Sequence, residues 1–314
     1  MTKDIQSDSN RLLAHLKQTF PGNYQLKKHG KSFHFAQRFI PKSTTSAIQS
    51  LYEVCRLIDN IADCEHTDHT HTLKKLDQVK DCIRAHDHNG LTAITDNHQV
   101  KTTSLYLLLT GARRDVSMTQ IATMDQLVEY CYQVAGTVGL MMCDLMGIQS
   151  TQARLHAIDL GIAMQLTNIA RDVWQDSLLE RIYLPAEHIG ICQAMELRTA
   201  EKGQNARIEK SILELLHQAN IFYKSGFNGL EFIPSQHRFA IYVAGKLYQR
   251  IGHQIKQRKP HCHPQKAYVS FAHKCVLATQ CAARYWGAPS QPEAVTQPHD
   301  SDLFRNLGFF EGAL

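Results

Sequence analysis

Asp59 and Asp63 stand four residues apart in LYEVCRLIDNIADC, and Asp172 and Asp176 repeat that spacing in GIAMQLTNIARDVWQD. Four residues is just over one helical turn, so each pair projects from one helix face. Tyr52 and Arg56 extend the first polar stripe, and Gln165 and Asn168 extend the second. Their neighbours, Leu51, Val54, Leu57, Ile58 and Ile61 in one segment and Ile162, Leu166, Ile169 and Val173 in the other, are apolar. Both helices are therefore expected to be largely buried, with the polar lines facing a partner or a cavity. Like charges at this spacing cost about 0.2–0.5 kcal/mol even on an exposed helix, and more as the dielectric falls. Arg56 and Arg171 offset part of that repulsion. Hard divalent cations, Mg²⁺ or Mn²⁺, match four carboxylates better, because Mg²⁺ is held by one or two carboxylates and fills its other positions with water and phosphate oxygens. The guest implied is a diphosphate. RIYLP follows the second pair, and Arg181 and Tyr183 would enter the same space with a guanidinium fork and a directed hydroxyl. Metal and arginine together stabilise a leaving diphosphate with no protein nucleophile.

The elements that position these groups are helices. The chain has 314 residues, 43% of them hydrophobic and 20% charged, with only 9 Pro and 17 Gly, and Val- or Ile-rich alternation is scarce. Disorder is excluded, and long helices are favoured over many short strands. Helical periodicity places helices near 8–18, 43–63, 73–86, 117–147, 151–177, 205–224, 235–258 and 265–285, with strand signals nearly absent. The expected fold class is all-α, with residues 1–286 as one domain. The composition shifts at Gly287, so 287–314 reads as a flexible C-terminal tail.

The net charge of +5 is spread without basic runs, which gives nucleic-acid binding no support. Nine Cys without a CxxC pair read as reduced thiols of a cytoplasmic protein. The charged N-terminus does not read as a signal peptide, and the apolar stretch 134–148 is interrupted by Asp144 and too short to span a bilayer. Peripheral contact with the inner membrane stays open, as does the oligomeric state.

In order along the chain, HGKSF (29–33), LYEVCRLIDNIAD (51–63), GARRDV (111–116), YCYQVAGTVGLMM (130–142), QLTNIARDVWQD (165–176) and RIYLP (181–185) resemble the squalene and phytoene synthases. The resemblance continues through the segment bearing Tyr248 to KAYVS (266–270). It implies an isoprenoid-synthase helical bundle around a central cavity, acting on prenyl diphosphates. It implies that Asp59, Asp63, Asp172 and Asp176 hold Mg²⁺, with Gln165 and Asn168 beside them. Lys31, Ser32, Arg56, Arg171, Arg181 and Tyr248 would then contact diphosphate, and Phe33, Tyr52 and Tyr130 would line the reaction centre. NIARDV and AGTVGLMM look closer to bacterial phytoene synthases, whose reaction needs no NADPH, and no dinucleotide fingerprint is present. Asn60, Lys266 and Gly30 depart from the pattern, where relatives carry Asp, Arg and Ser.

Other readings are weaker. Each Asp pair alone could be a solvated helix face, and Tyr130, Tyr248 and Phe33 could be plain core aromatics. His66, His69 and His71 match no zinc spacing, and one Glu214–His217 ExxH does not make a di-iron bundle. A C30 synthase making squalene, dehydrosqualene or presqualene diphosphate is the alternative within the class. A non-catalytic scaffold relative is the alternative outside it.

Overall fold

The computed structural model describes residues 11–21, 31–63, 68–258 and 266–287, together with 299, 300 and 303. Its helices are α1 (Arg11–Thr19), α2 (Lys31–Ala36), α3 (Lys42–Ala62), α4 (His69–Ala85), α5 (Thr102–Ser117), α6 (Met124–Cys131), α7 (Thr137–Leu145), α8 (Thr151–Leu178), α9 (Ala186–Ile189), α10 (Ala194–Arg198), α11 (Lys202–Asn228), α12 (Ser235–Gln257) and α13 (Phe271–Gly287). The all-α expectation holds. Among the described residues no helix is long and apolar enough to cross a membrane.

Helix starts follow local chemistry. Pro41 and Pro234 immediately precede α3 and α12, where a missing N–H costs nothing. Thr123 caps α6 by accepting from the Gln126 N–H, and Ser150 caps α8 by accepting from the Ala153 N–H. α8 is the central helix, packed against α11, α12 and α7. Two large apolar clusters meet around it, one built on α8 and α11 and the other on α3, α4 and α5. Gly139 on α7 and Gly161 on α8 let these backbones touch, since a Cβ at either would strike a carbonyl of the other segment, at Ala157 or Ala135.

Three expectations need correction. Strands exist: β1 (Asp87–His88), β2 (Leu91–Thr95) and β3 (His98–Lys101) form an antiparallel sheet in the order β1-β2-β3. Asn89 and Gly90, at φ 58° and 82°, make the β1–β2 turn, and Asn-Gly is the residue pair that a two-residue hairpin demands. Second, residues 102–117 form a helix, and the chain runs extended from 118 to 123 before α6, so no single helix covers 117–147. Within that span Tyr132–Gly136 form a π-helical turn that joins α6 to α7. Third, the last helix begins at Phe271, not near 265, and α11 is longer than expected at both ends. His69 and His71 are exposed in the first turn of α4, whereas His66, His261, Cys262 and His263 lie outside the described residues.

The sheet braces one side of the fold. β3 packs on α7, the Lys101 N–H donates to Asp144 at 3.0 Å, and Asp144 pairs at 2.6 Å with Arg154, whose side chain is 1% exposed. This ion pair fixes the α7–α8 connection.

Candidate active site

α3 and α8 each present part of their polar stripe to one cavity, whereas Arg56, Asp63, Asp172 and Asp176 do not line it. Asp59, Tyr52, Gln165, Asn168 and Tyr248 line its polar end, with Phe33 beside them. Met146, Ile148, Ala153, Gly229 and Ile233 line its apolar end. Val134 and Ala135, from the π turn, lie between, and such turns re-aim side chains at functional sites. Because α8 lines the cavity from Ala153 to Asn168, the cavity follows that helix for about 22 Å at the α-helical rise.

The carboxylates divide into two kinds. Asp63 and Asp172 are neutralised by protein cations. Asp63 accepts from Arg181 Nη1 at 2.6 Å. Asp172 takes Arg171 bidentately at 2.9 and 2.6 Å and Lys266 Nζ at 3.0 Å. Burial works against its charge, but these partners hold the Asp172 carboxyl below its ordinary range. Asp59 and Asp176 are not so compensated. Burial first, and then Asp63, pushes Asp59 up to about 7. Half of its side-chain surface is accessible, on the cavity that it lines, so solvent there screens part of that repulsion. Burial and Asp172 likewise raise Asp176 well above the usual carboxylate range. Arg56 Nη1 lies 3.8 Å from Asp59, too far for a hydrogen bond.

Arg181 knits the site together. Besides Asp63, its Nη2 donates to the Ala62 carbonyl at 2.7 Å and its Nε to the Asp115 carbonyl at 3.0 Å, which joins the end of α3 to α5 and to the segment after α8. Sequence reasoning gave Asp115 no role, although it quoted GARRDV. Its carboxylate accepts from Tyr183 Oη at 2.7 Å and from Tyr130 Oη at 2.9 Å, and the two tyrosine rings stack at 5.0 Å. Burial pushes Asp115 up to about 6, against the pull of Arg181 and both hydroxyls. Tyr130 thus stands behind the mouth against Asp115, while Tyr52 and Phe33 line the cavity itself. Tyr52 is raised to about 12 by burial. Tyr248, also raised by burial, lies in the field of Arg171 and Asp172. Ser32 is half-buried on α2, and the Lys31 side chain lies outside the described residues. Lys266 stands at the site as a cationic partner of Asp172.

The donor set suits a hard divalent cation. Asp59 and Asp176 have charge to be neutralised, and Asn168 Oδ1 is buried without a hydrogen-bond partner. Among the described residues no three His, Cys, Asp or Glu side chains close on one point. Mg²⁺ needs only one or two carboxylates beside water and phosphate oxygens.

Residues 26–273 match the family model described as squalene/phytoene synthase. The chain belongs to that family. It is a prenyltransferase-type enzyme that acts on prenyl diphosphates. The chain is 28% identical over 290 residues to the 15-cis-phytoene synthase of Enterobacter agglomerans, covering 88% of this chain and 97% of that protein. It is 30% identical over 261 residues to the 15-cis-phytoene synthase of a Paracoccus strain, covering 79% and 85%. Among solved structures, a dehydrosqualene synthase in complex with ligand superposes with a TM-score of 0.71 at 25% identity, covering 90% of this chain and 100% of that one. A squalene synthase of Alicyclobacillus acidocaldarius shares the fold at a TM-score of 0.65 and 17% identity, covering 84% and 98%.

Proposed function

We propose that this enzyme joins two geranylgeranyl diphosphates head-to-head, through a cyclopropylcarbinyl diphosphate, to 15-cis-phytoene, without NADPH. The carrying observation is the depth of the cavity. The α8 stretch from Asn168 to Ala153 that lines it spans about 22 Å. An extended C20 chain needs about 20 Å, at roughly 5 Å per five-carbon unit built from C–C bonds of about 1.5 Å. A C15 chain would leave the Met146–Ile148–Ala153 end unfilled.

In this reading Asp59, Asp63, Asp172 and Asp176 hold Mg²⁺ or Mn²⁺, which when bound supplies positive charge to the diphosphates. Arg171, Arg181 and Lys266 add protein charge at the same mouth, and Arg56 stands beside Asp59. As the first C–O bond breaks, its electron pair leaves with the diphosphate. The allylic C1 cation then bonds to the C2–C3 alkene of the second substrate, and loss of a proton from that C1 closes the cyclopropane. A second ionisation releases the second diphosphate from the cyclopropylcarbinyl diphosphate, and rearrangement followed by loss of a second proton gives the hydrocarbon. Faces of Phe33, Tyr52 and Tyr248 next to Asp59 offer electron density to these cations. The apolar walls keep water from quenching them.

The test is incubation of purified enzyme with Mg²⁺ and C15 or C20 prenyl diphosphate, separately and without NADPH. Phytoene from the C20 substrate is the expected product, and a C30 hydrocarbon from C15 alone would overturn the reading.

Protons report on the metal. Asp59 is held protonated to about pH 7 in the fold but only to about 3.9 in an unfolded chain. Its contribution to the metal-free protein is therefore fully present below pH 4 and lost as pH rises through about 7. Metal binding requires the ionised form and releases that proton. The gain in melting temperature from Mg²⁺ over EDTA should thus be small at pH 5.5 and grow through pH 7.5. A gain independent of pH would sink this linkage.

A further inference from the structure

The apolar end of the cavity has an outer side as well as an inner one. On α8, Ala153, Ala157, Leu160 and Gly161 face the lumen. Gln152, His156 and Asp159, at spacings of four and three, share another face of the helix. Gln152 on that face is exposed, whereas its other two members are shielded from solvent, with His156 1% and Asp159 0% exposed. Asp159 accepts a hydrogen bond from Ser225 on α11 and pairs at 2.9 Å with His299 Nε2, whose side chain is 2% exposed. Ser225 Oγ lies 3.1 Å from His156 Nδ1, and the rings of His156 and His299 meet edge-on at 5.4 Å. The His299 backbone N–H donates to Gln152 Oε1 at 2.9 Å, and Leu303 packs on the main core. None of these groups lines the cavity, so prenyl chemistry does not account for them.

Their position does suggest a use. α8 and α11 meet without slack, because a Cβ at Gly226 would strike the Leu160 backbone and one at Gly229 would strike His156. Gly226 and Gly229 also line the apolar end of the cavity. The seam between these segments is thus both the cavity wall and the seat of the Asp159 cluster. A carboxylate buried this deeply is tolerated only when paired. Without His299 it would draw water into the seam and part the two helices where the end of a long prenyl chain must lie.

We propose that His299 is a specificity-determining positioning residue: through Asp159 on α8 and its partner Ser225 on α11 it straps the two helices together, and so shapes the cavity end that receives the last five-carbon unit of a C20 chain. This rests on the C20 reading above, and it predicts an effect that depends on chain length. C15 chains stop short of the strapped region, whereas C20 chains reach it.

The experiment compares binding of non-ionising geranylgeranyl and farnesyl thiodiphosphates, by calorimetry with Mg²⁺, to the full-length wild type, His299→Ala and His299→Gln. His299→Ala should weaken the C20 analogue about tenfold, within the usual range of coupling between sites, and leave the C15 analogue unchanged. His299→Gln, which still offers a donor to Asp159, should recover most of the loss and guards against misfolding of the alanine variant. Equal loss of both analogues, no loss, or no recovery with glutamine would overturn the strap. Failure of the wild type to bind either analogue would overturn the strap and the prenyl reading together. A C30 product from C15 substrate with the chain-length effect intact would overturn only the C20 reading.

Discussion

Asp59→Asn and Asp176→Asn, made singly, should each lower kcat/KM by at least about 100-fold, the usual cost of losing one group that stabilises developing charge, while the metal-free protein loses no stability. The two halves of this expectation have one cause. Asp59 and Asp176 are the two pair members held above the ordinary carboxylate range, by burial and by their neighbours Asp63 and Asp172. At pH 8 in EDTA each charge opposes that of its own pair partner, Asp63 or Asp172, so a neutral isostere relieves strain. Lost activity with kept or gained stability marks a group maintained for function against its own energetics. Asp63→Asn should behave differently, because Asp63 is the 2.6 Å partner of Arg181. It should lose activity and stability together. Steady-state rates with C20 diphosphate and melting curves in EDTA at pH 8 check all three. Full turnover by both Asp59→Asn and Asp176→Asn would instead show that neither carboxylate takes part in the reaction.

What the sequence disclosed follows from the range of each interaction. The two DxxxD helices were legible because a spacing of four within an apolar stretch determines both the face and the need for a cavity. The long helices α3, α8 and α12 follow from the same periodicity. Asp115 was not legible as a functional group, since its partners Tyr130, Tyr183 and Arg181 are distant in sequence and meet it only in the fold. The helix that carries it was also missed, because LYLLLTGARRDV is apolar for several residues running and then basic, with no clean stripe. The small sheet had a readable sign in Asn89-Gly90, but strands as short as Asp87–His88 offer too few alternations to register. Which member of each Asp pair is neutralised depends on Arg181 and Lys266, and spacing within a helix carries no information about either. The stretch 287–314, expected as a flexible tail, lies mostly outside the described residues, but His299 within it is buried against Asp159, a contact that no local pattern announces.

Asp115 should be the most consequential residue outside the two pairs. Its carboxylate is the common acceptor for Tyr130 and Tyr183, and its backbone carbonyl receives Arg181, which in turn holds Asp63. Asp115→Ala removes one acceptor and leaves two buried hydroxyls to find others, at about 1–3 kcal/mol for each left unsatisfied. A fall in melting temperature is the expected result. Asp115→Asn is the sharper variant. It keeps the shape but replaces one acceptor oxygen with a donor, so one tyrosine hydroxyl must turn its own proton elsewhere. The fold should survive, because the Arg181 contact is to the backbone and is unchanged. The ordered line from Asp115 through Tyr183 and Tyr130 should not, and kcat is expected to fall about 10–100-fold, a scale typical of a misplaced supporting group. KM should change little, since Asp59, Asp172, Arg171 and Lys266, the groups proposed to meet the diphosphates, are untouched. A purely structural role predicts the reverse, with kcat preserved in the folded fraction and only stability reduced. Initial rates normalised to folded protein, measured beside the melting curve, separate the two: unchanged kcat in Asp115→Asn would reduce Asp115 to a packing residue.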